Sequence, residues 1–177
     1  VPERVVELAG LTGAKIEVNL FYRTPERELA TRKVLERAGA REVLGVGEAS
    51  SARIPELGSE RRRVDPRGIL IADTVLVPLE DGDRAEALVK MGKEVIAVDL
   101  NPLSRTSQSA SITIVDNVIR AMPNLVSEAS RLKSASWKNL QRILHGFDNR
   151  ANLSAVIRLI NTRLTALASL TTQNREG

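Results

Sequence analysis

Between Val98 and Asn117 the chain reads VDLNPLSRTSQSASITIVDN, two apolar runs that each finish in aspartate and asparagine, with an arginine and a row of hydroxyls between them. Asp99 can accept hydrogen bonds from a ribose or orient an amine, Asn101 can donate and accept, and Arg105 can fork onto a phosphate or carboxylate. Asn117, followed by a helical pattern, can present its amide beside free backbone N–H groups. A plainer reading stands beside this one. Asp99 and Asn101 can form an Asx-type turn before Pro102, and Asn117 can be an N-cap and nothing more.

The same two-sided reading holds for EDGDRAEAL, residues 80–88. Asp81 or Asp83 can cap a helix whose first turn Glu86 supports. Arg84 opposes the helix dipole there, and a bound anion would offset that. Glu80, Asp81 and Asp83 could also hold magnesium, which is commonly bound through one or two carboxylates plus substrate phosphates. The metal ligands stay unassigned. Tyr22 and Arg23 fall between an apolar run and the Thr24-Pro25 helix start, so Arg23 is read as a second anion contact, against the alternative of a solvated arginine. The run Arg61-Arg62-Arg63 with Arg67 lies in a long loop and reads as a solvated charge cluster. His145, among Leu140, Ile143 and Leu144, reads as structural. GVGEAS, residues 45–50, lacks the third glycine and the following helix of a dinucleotide loop, and no Gly-Lys-Ser/Thr phosphate loop occurs, which argues against NAD and the common kinase solution.

These residues must be positioned by something, and the pattern names the elements. A helix follows Pro2 and ends at Gly10–Gly13. Strands are expected at 15–20, 42–46, 69–79, 94–100 and 111–117, with helices from Thr24 to Gly39 and from Asp81 to Gly92. Strands alternating with helices imply an α/β fold, a mostly parallel sheet with helices on both faces. Ligands of such sheets bind outside the carboxyl ends of the strands, where the polar residues above all fall. From Val118 to the end the pattern is helical, a C-terminal part of the same single domain, 1–177. Leu153, Val156, Ile157, Ile160, Leu164 and Leu167 form one stripe on a long terminal helix, to be buried on the core or in a dimer seam.

With 177 residues, 42% of them hydrophobic, one substantial core is affordable. Aromatics at 2% leave few stacking platforms for single-stranded nucleic acid, and the 26 basic and 22 acidic residues are interspersed rather than striped, so no nucleic acid is expected as partner. The net charge of +4 suits phosphorylated small molecules. No cysteine and one histidine exclude thiolate and multi-histidine chemistry. No signal-peptide pattern and no apolar run of membrane-spanning length is seen, so the expectation is a cytoplasmic protein with no membrane partner.

KIEVNLFYRT, RIPELGSERRRVDPRGI, the long segment from ADTVLVPLEDGDR through DLNPLSRTSQSASITIVDN to AMP, and FDNRANLSAVI together resemble archaeal phosphopantothenate synthetase, the 4-phosphopantoate–β-alanine ligase family. The resemblance implies a Rossmann-like fold, a homodimer, and ATP- and Mg2+-dependent joining of 4-phosphopantoate and β-alanine through an acyl-adenylate, releasing AMP and pyrophosphate in coenzyme A synthesis. It places the ATP contacts on Asp99, Leu100, Asn101, Arg105, Thr106, Asn117 and Val118. Arg105 is the expected catalytic charge-neutralising group, and Arg23 and Arg84 are the expected contacts to the 4-phosphate. Family members carry a segment before VPERVVELAG with further arginines. The alternative function is a non-catalytic nucleotide-binding or assembly module.

Overall fold

The computed structural model describes residues 1–173 apart from Glu56 and Glu80, with side chains described to Leu170. The elements are α1 (Pro2–Thr12), α2 (Pro25–Arg37), β1 (Ala52–Arg53), β2 (Arg63–Val64), β3 (Thr74–Val77), α3 (Gly82–Lys90), β4 (Glu94–Val98), α4 (Arg105–Ser109), β5 (Ile112–Ile114), α5 (Val118–Leu132), α6 (Trp137–His145) and α7 (Asn149–Gln173). The fold is α/β. Strands β3, β4 and β5 form a three-stranded parallel sheet in that order, with Val77 opposite Ala97 and Val98 opposite Ile114, and helices surround it.

The core follows from alternation and from helix amphipathicity. Val75, Val77, Val95 and Ala97 are buried against Ala85, Ala87 and Leu88 of α3, with Ile54, Leu57 and Val64 of the long loop closing over them. Three capping residues then fix the entry of the helices that follow the strands. Asp81 accepts from the Arg84 N–H, Ser104 from the Ser107 N–H, and Asn117 from the Ile119 N–H. Each satisfies an orphan first-turn amide. The three helix starts therefore stand at one edge of the sheet.

All five expected strands are shorter than the sequence suggests, those expected at 94–100 and 111–117 ending at Val98 and Ile114 where the turn and the cap begin. Residues 15–20 and 42–46 meet only at one parallel bridge, Glu17 to Leu44, held by Val18 N–H to Leu44 O at 2.9 Å and Leu44 N–H to Ile16 O at 2.8 Å. Gly45 stops that ladder. Its φ is 77°, and a Cβ there would lie 2.3 Å from the Val18 carbonyl oxygen, so only glycine fits. The apolar run 69–79 is a strand only at 74–77, because the Glu17 carboxylate takes the Ile69 and Asp65 amides and turns hold the chain up to Ala72. Conversely, the loop expected to be irregular contains the antiparallel ribbon β1–β2.

The terminal helix is packed on the core over its first turns alone. Leu153 is buried, Val156 and Ile157 are half-buried, and Leu159, Ile160, Leu164 and Leu170 are exposed. Over Asn149–Leu170 this helix is long and apolar enough to cross a membrane by length and composition, which corrects the expectation that no such run exists. Its start is nonetheless tied to the sheet. The Asn149 side chain accepts from the Thr113 N–H at 2.8 Å and donates to Ser107 O and Ala110 O, while Asn152 donates to Thr113 O at 2.9 Å.

Candidate functional site

The loops after β3 and β4 converge on a cavity of about 420 Å³ lined by Phe21, Arg61, Asp81, Gly82, Asp83, Ser104 and Arg105. That volume suits a small polar ligand. Gly82 lets the two loops approach: a Cβ at this position would lie 2.9 Å from the Arg105 Cβ. Thr106, wholly buried, accepts from the Asp81 N–H at 3.0 Å and ties the same loops from below.

On its outer side, Arg105 is exposed and sits between two carboxylates. Its Nε and Nη2 donate to Glu86 at 2.9 and 3.0 Å, and its Nη1 lies 2.9 Å from Asp83. Hydrogen bonds from these two acids push the guanidinium pKa further up, and Arg105 in turn holds the Glu86 carboxyl below its ordinary value. The inner side has the opposite arrangement. Asp81, 2% exposed at its side chain, is shared by two arginines, with Arg61 Nη1 at 2.5 Å and Arg84 Nε at 3.0 Å. Arg84 is well buried, which lowers its pKa, and it also donates to Asn19 Oδ1 at 3.1 Å. The Arg61 guanidinium lies 4.6 Å above the Phe21 ring, a cation–π geometry.

At the ends of β4 and β5 the turn-and-cap geometry is realised. Asp99 accepts from the Asn101 N–H at 2.8 Å and from the Ser104 hydroxyl, and Asn101 accepts from the Leu103 N–H at 2.9 Å. Asn117 accepts from the Ile119 N–H at 2.9 Å, with Val118 starting α5. Leu100 is left exposed on the same edge. Asp99, Leu100, Asn101, Arg105, Thr106, Asn117 and Val118 thus share one sheet edge, although the Thr106 side chain is already committed to a protein partner. This edge carries the most specific sequence signal.

Residues 1–163 match the phosphopantothenate/pantothenate synthetase family. A 4-phosphopantoate–beta-alanine ligase of Thermococcus kodakarensis is 50% identical over 169 residues, 95% of this chain and 64% of that protein. The chain belongs to this family. A 4-phosphopantoate–beta-alanine ligase of Methanosarcina mazei is 48% identical over 170 residues, 96% of this chain and 66% of that protein, and one of Thermococcus onnurineus is 49% identical over 169 residues. The synthetase-family chain therefore spans slightly under two thirds of the length of these relatives.

Among the expected anion contacts the structure separates two arginines. Arg23 lies behind the cavity, pairing with Glu28 and the Ser50 hydroxyl and donating to Arg63 O at 3.0 Å and Gly45 O at 2.9 Å, with 6% of its side chain exposed. Those bonds account for its guanidinium as a latch between α2 and the loop. Arg84 stands one layer behind the cavity wall, through Asp81. For magnesium, Asp81 is taken by two arginines and Asp83 by one, Glu80 lies outside the described residues, and no group of three or more metal-binding side chains occurs among the described ones. Sequence reasoning missed Arg61, which reads as one of three solvated arginines until the β1–β2 ribbon aims it at Asp81. It also missed Asn149 and Asn152, whose only signal is a pair of asparagines one turn apart at a helix start.

Proposed function

We propose that this protein joins 4-phosphopantoate to β-alanine at the expense of ATP, as a cytoplasmic metabolic ligase. What carries the reading is the family membership at about half identity over nearly the whole chain, together with the DLNPLSRT segment, whose Ser104 and Arg105 line the cavity at the sheet edge. The carboxylate of 4-phosphopantoate attacks the α-phosphate of ATP, the bond to the β-phosphate breaks and pyrophosphate leaves. The β-alanine amine then attacks the acyl carbon, and AMP leaves with the former carboxylate oxygen. Two anions must be brought together, so positioning and charge neutralisation carry the rate.

In this reading the nucleotide lies along Asp99, Leu100, Asn101, Arg105, Thr106, Asn117 and Val118, with Thr106 contributing backbone only. Arg105 exchanges Asp83 and Glu86 for the α-phosphate, a move its exposure allows. Magnesium, if bound with the nucleotide phosphates, would supply further charge neutralisation, and Asp83, freed from Arg105, is the carboxylate that would hold it. Arg84 contributes to the phosphorylated acid through Asp81, and Arg23 holds the loop that carries Arg61.

The partner of the exposed stripe Leu159, Ile160 and Leu164 is a second copy of the chain, since an apolar face on an element tied so firmly to the sheet needs a cover.

The test is AMP release from ATP by the full chain, dependent on both 4-phosphopantoate and β-alanine. Arg105→Ala is expected to lower turnover by about a hundredfold or more. Near-normal turnover removes Arg105 from the chemistry. Saturable ATP binding with no AMP formed, even when the segment that family members carry before VPERVVELAG is supplied, replaces the ligase reading with a nucleotide-binding module.

A further inference from the structure

We infer that Arg61, held against Phe21 at the mouth of the cavity, reads the phosphoryl group of the acid substrate and so sets the preference for a phosphorylated over an unphosphorylated acid. This rests on the ligase reading. Arg105 already has two carboxylates, whereas Arg61 and Arg84 divide one, so the inner wall is short of negative charge. The other acid near Arg84, Glu17, has its oxygens engaged by the Asp65 and Ile69 amides. A phosphate monoester supplies what the inner wall lacks.

Geometry then selects Arg61 over its neighbour. Arg61 lines the cavity and Arg84 does not. The Nε of each is buried without an aligned hydrogen-bond acceptor, although both side chains are ion-paired with Asp81. Buried donors of this kind ordinarily find an acceptor. Stacking on Phe21 and pairing with Asp81 fix the plane of the Arg61 guanidinium, and a fixed fork suits the oxygens of a phosphate. Gly82 and Asp83, whose amides open α3, line the same cavity and add orphan donors and the positive end of the helix.

A phosphoryl group could also come from the nucleotide, and the experiment separates the two sources. The full chain, Arg61→Gln and Arg61→Lys are titrated calorimetrically with 4-phosphopantoate, with pantoate and with ATP. In Arg61→Gln the affinity for 4-phosphopantoate is expected to fall roughly tenfold to a hundredfold, the range of a lost charge-assisted hydrogen bond, with pantoate and ATP changed by less than about threefold. Arg61→Lys keeps the charge and the pairing with Asp81 but loses the fork, so it gives an intermediate ratio and decides the matter should Arg61→Gln not fold. An unchanged ratio of phosphorylated to unphosphorylated affinity overturns the inference, and so does an equal loss of ATP affinity, which assigns the arginine to the nucleotide. AMP release by the same samples keeps the two readings apart. AMP formed with an unchanged ratio removes Arg61 alone. A parent chain that binds neither acid and forms no AMP removes both.

Discussion

The two sides of one cavity hold the same kinds of ion in opposite proportion. The inner side has one carboxylate, Asp81, between two arginines and away from solvent, and the outer side has one arginine, Arg105, between two carboxylates in water. Burial makes the difference in what each can do. A buried ion that loses its partner is left uncompensated in a medium that solvates it poorly. An exposed one is taken up by water at little cost. The inner cluster is therefore a fixed part of the fold with unmet positive charge, and the outer one is a set of ions free to change partners.

The largest effect expected from this contrast is on the inner side. Asp81→Ala strands two arginines and removes the cap of α3, so unfolding in urea should show a loss of about 3–5 kcal/mol. A loss of under about 1 kcal/mol would mean that Asp81 is no more than another exposed pairing. Gly82 stands where the two sides meet. Gly82→Ala forces its Cβ against the Arg105 Cβ, and a cost of about 1–3 kcal/mol with weakened ATP binding is expected, measured by the same unfolding and by calorimetry. An alanine variant that binds ATP normally would show that α3 and α4 need not stay this close.

The smallest effect belongs to the outer side and has a definite sign in pH. Arg105 lowers the Glu86 pKa from its ordinary 4.5, so the pairing stabilises the fold above that value and is lost as pH falls through the lowered one. Glu17 has the opposite dependence. Desolvation raises its pKa, so its contribution is present below 4.5 and is lost as pH rises through the raised value. Carboxyl titration by NMR should find Glu86 moving up towards 4.5 in Arg105→Ala while Glu17 stays in place. A Glu86 that does not move would show that the two are not paired in solution.

Local chemistry was legible wherever a residue acts on its own neighbours. Thr24 and Asp81 cap helices as their types predict, and the Asp99–Asn101 turn and the Asn117 cap form where the apolar runs end. Strands were read well only where a partner exists. Val95 to Val98 lies between two neighbours and is a strand, whereas residues 15–20, which alternate polar and apolar as a half-buried strand would, meet only one bridge. A β-ladder is a property of two segments, and one segment's composition does not contain the other. The terminal helix shows the same limit: its stripe was plain, but how far the core reaches along it was not.

The sequence by itself determined the α/β class, the helix starts, the polar strand ends and the family, because periodicity, capping and motif spacing are all written within a few residues. Only the tertiary structure decided how the charges pair. Arg23, Arg61, Arg84 and Arg105 are alike as letters. The fold buries Arg23 on Glu28, leaves Arg105 in water with two acids, and gives Arg61 and Arg84 one aspartate to share. The Arg61 and Arg105 pairings join residues 19 to 22 positions apart, so neither their distance nor their dielectric is set until the chain has closed on itself.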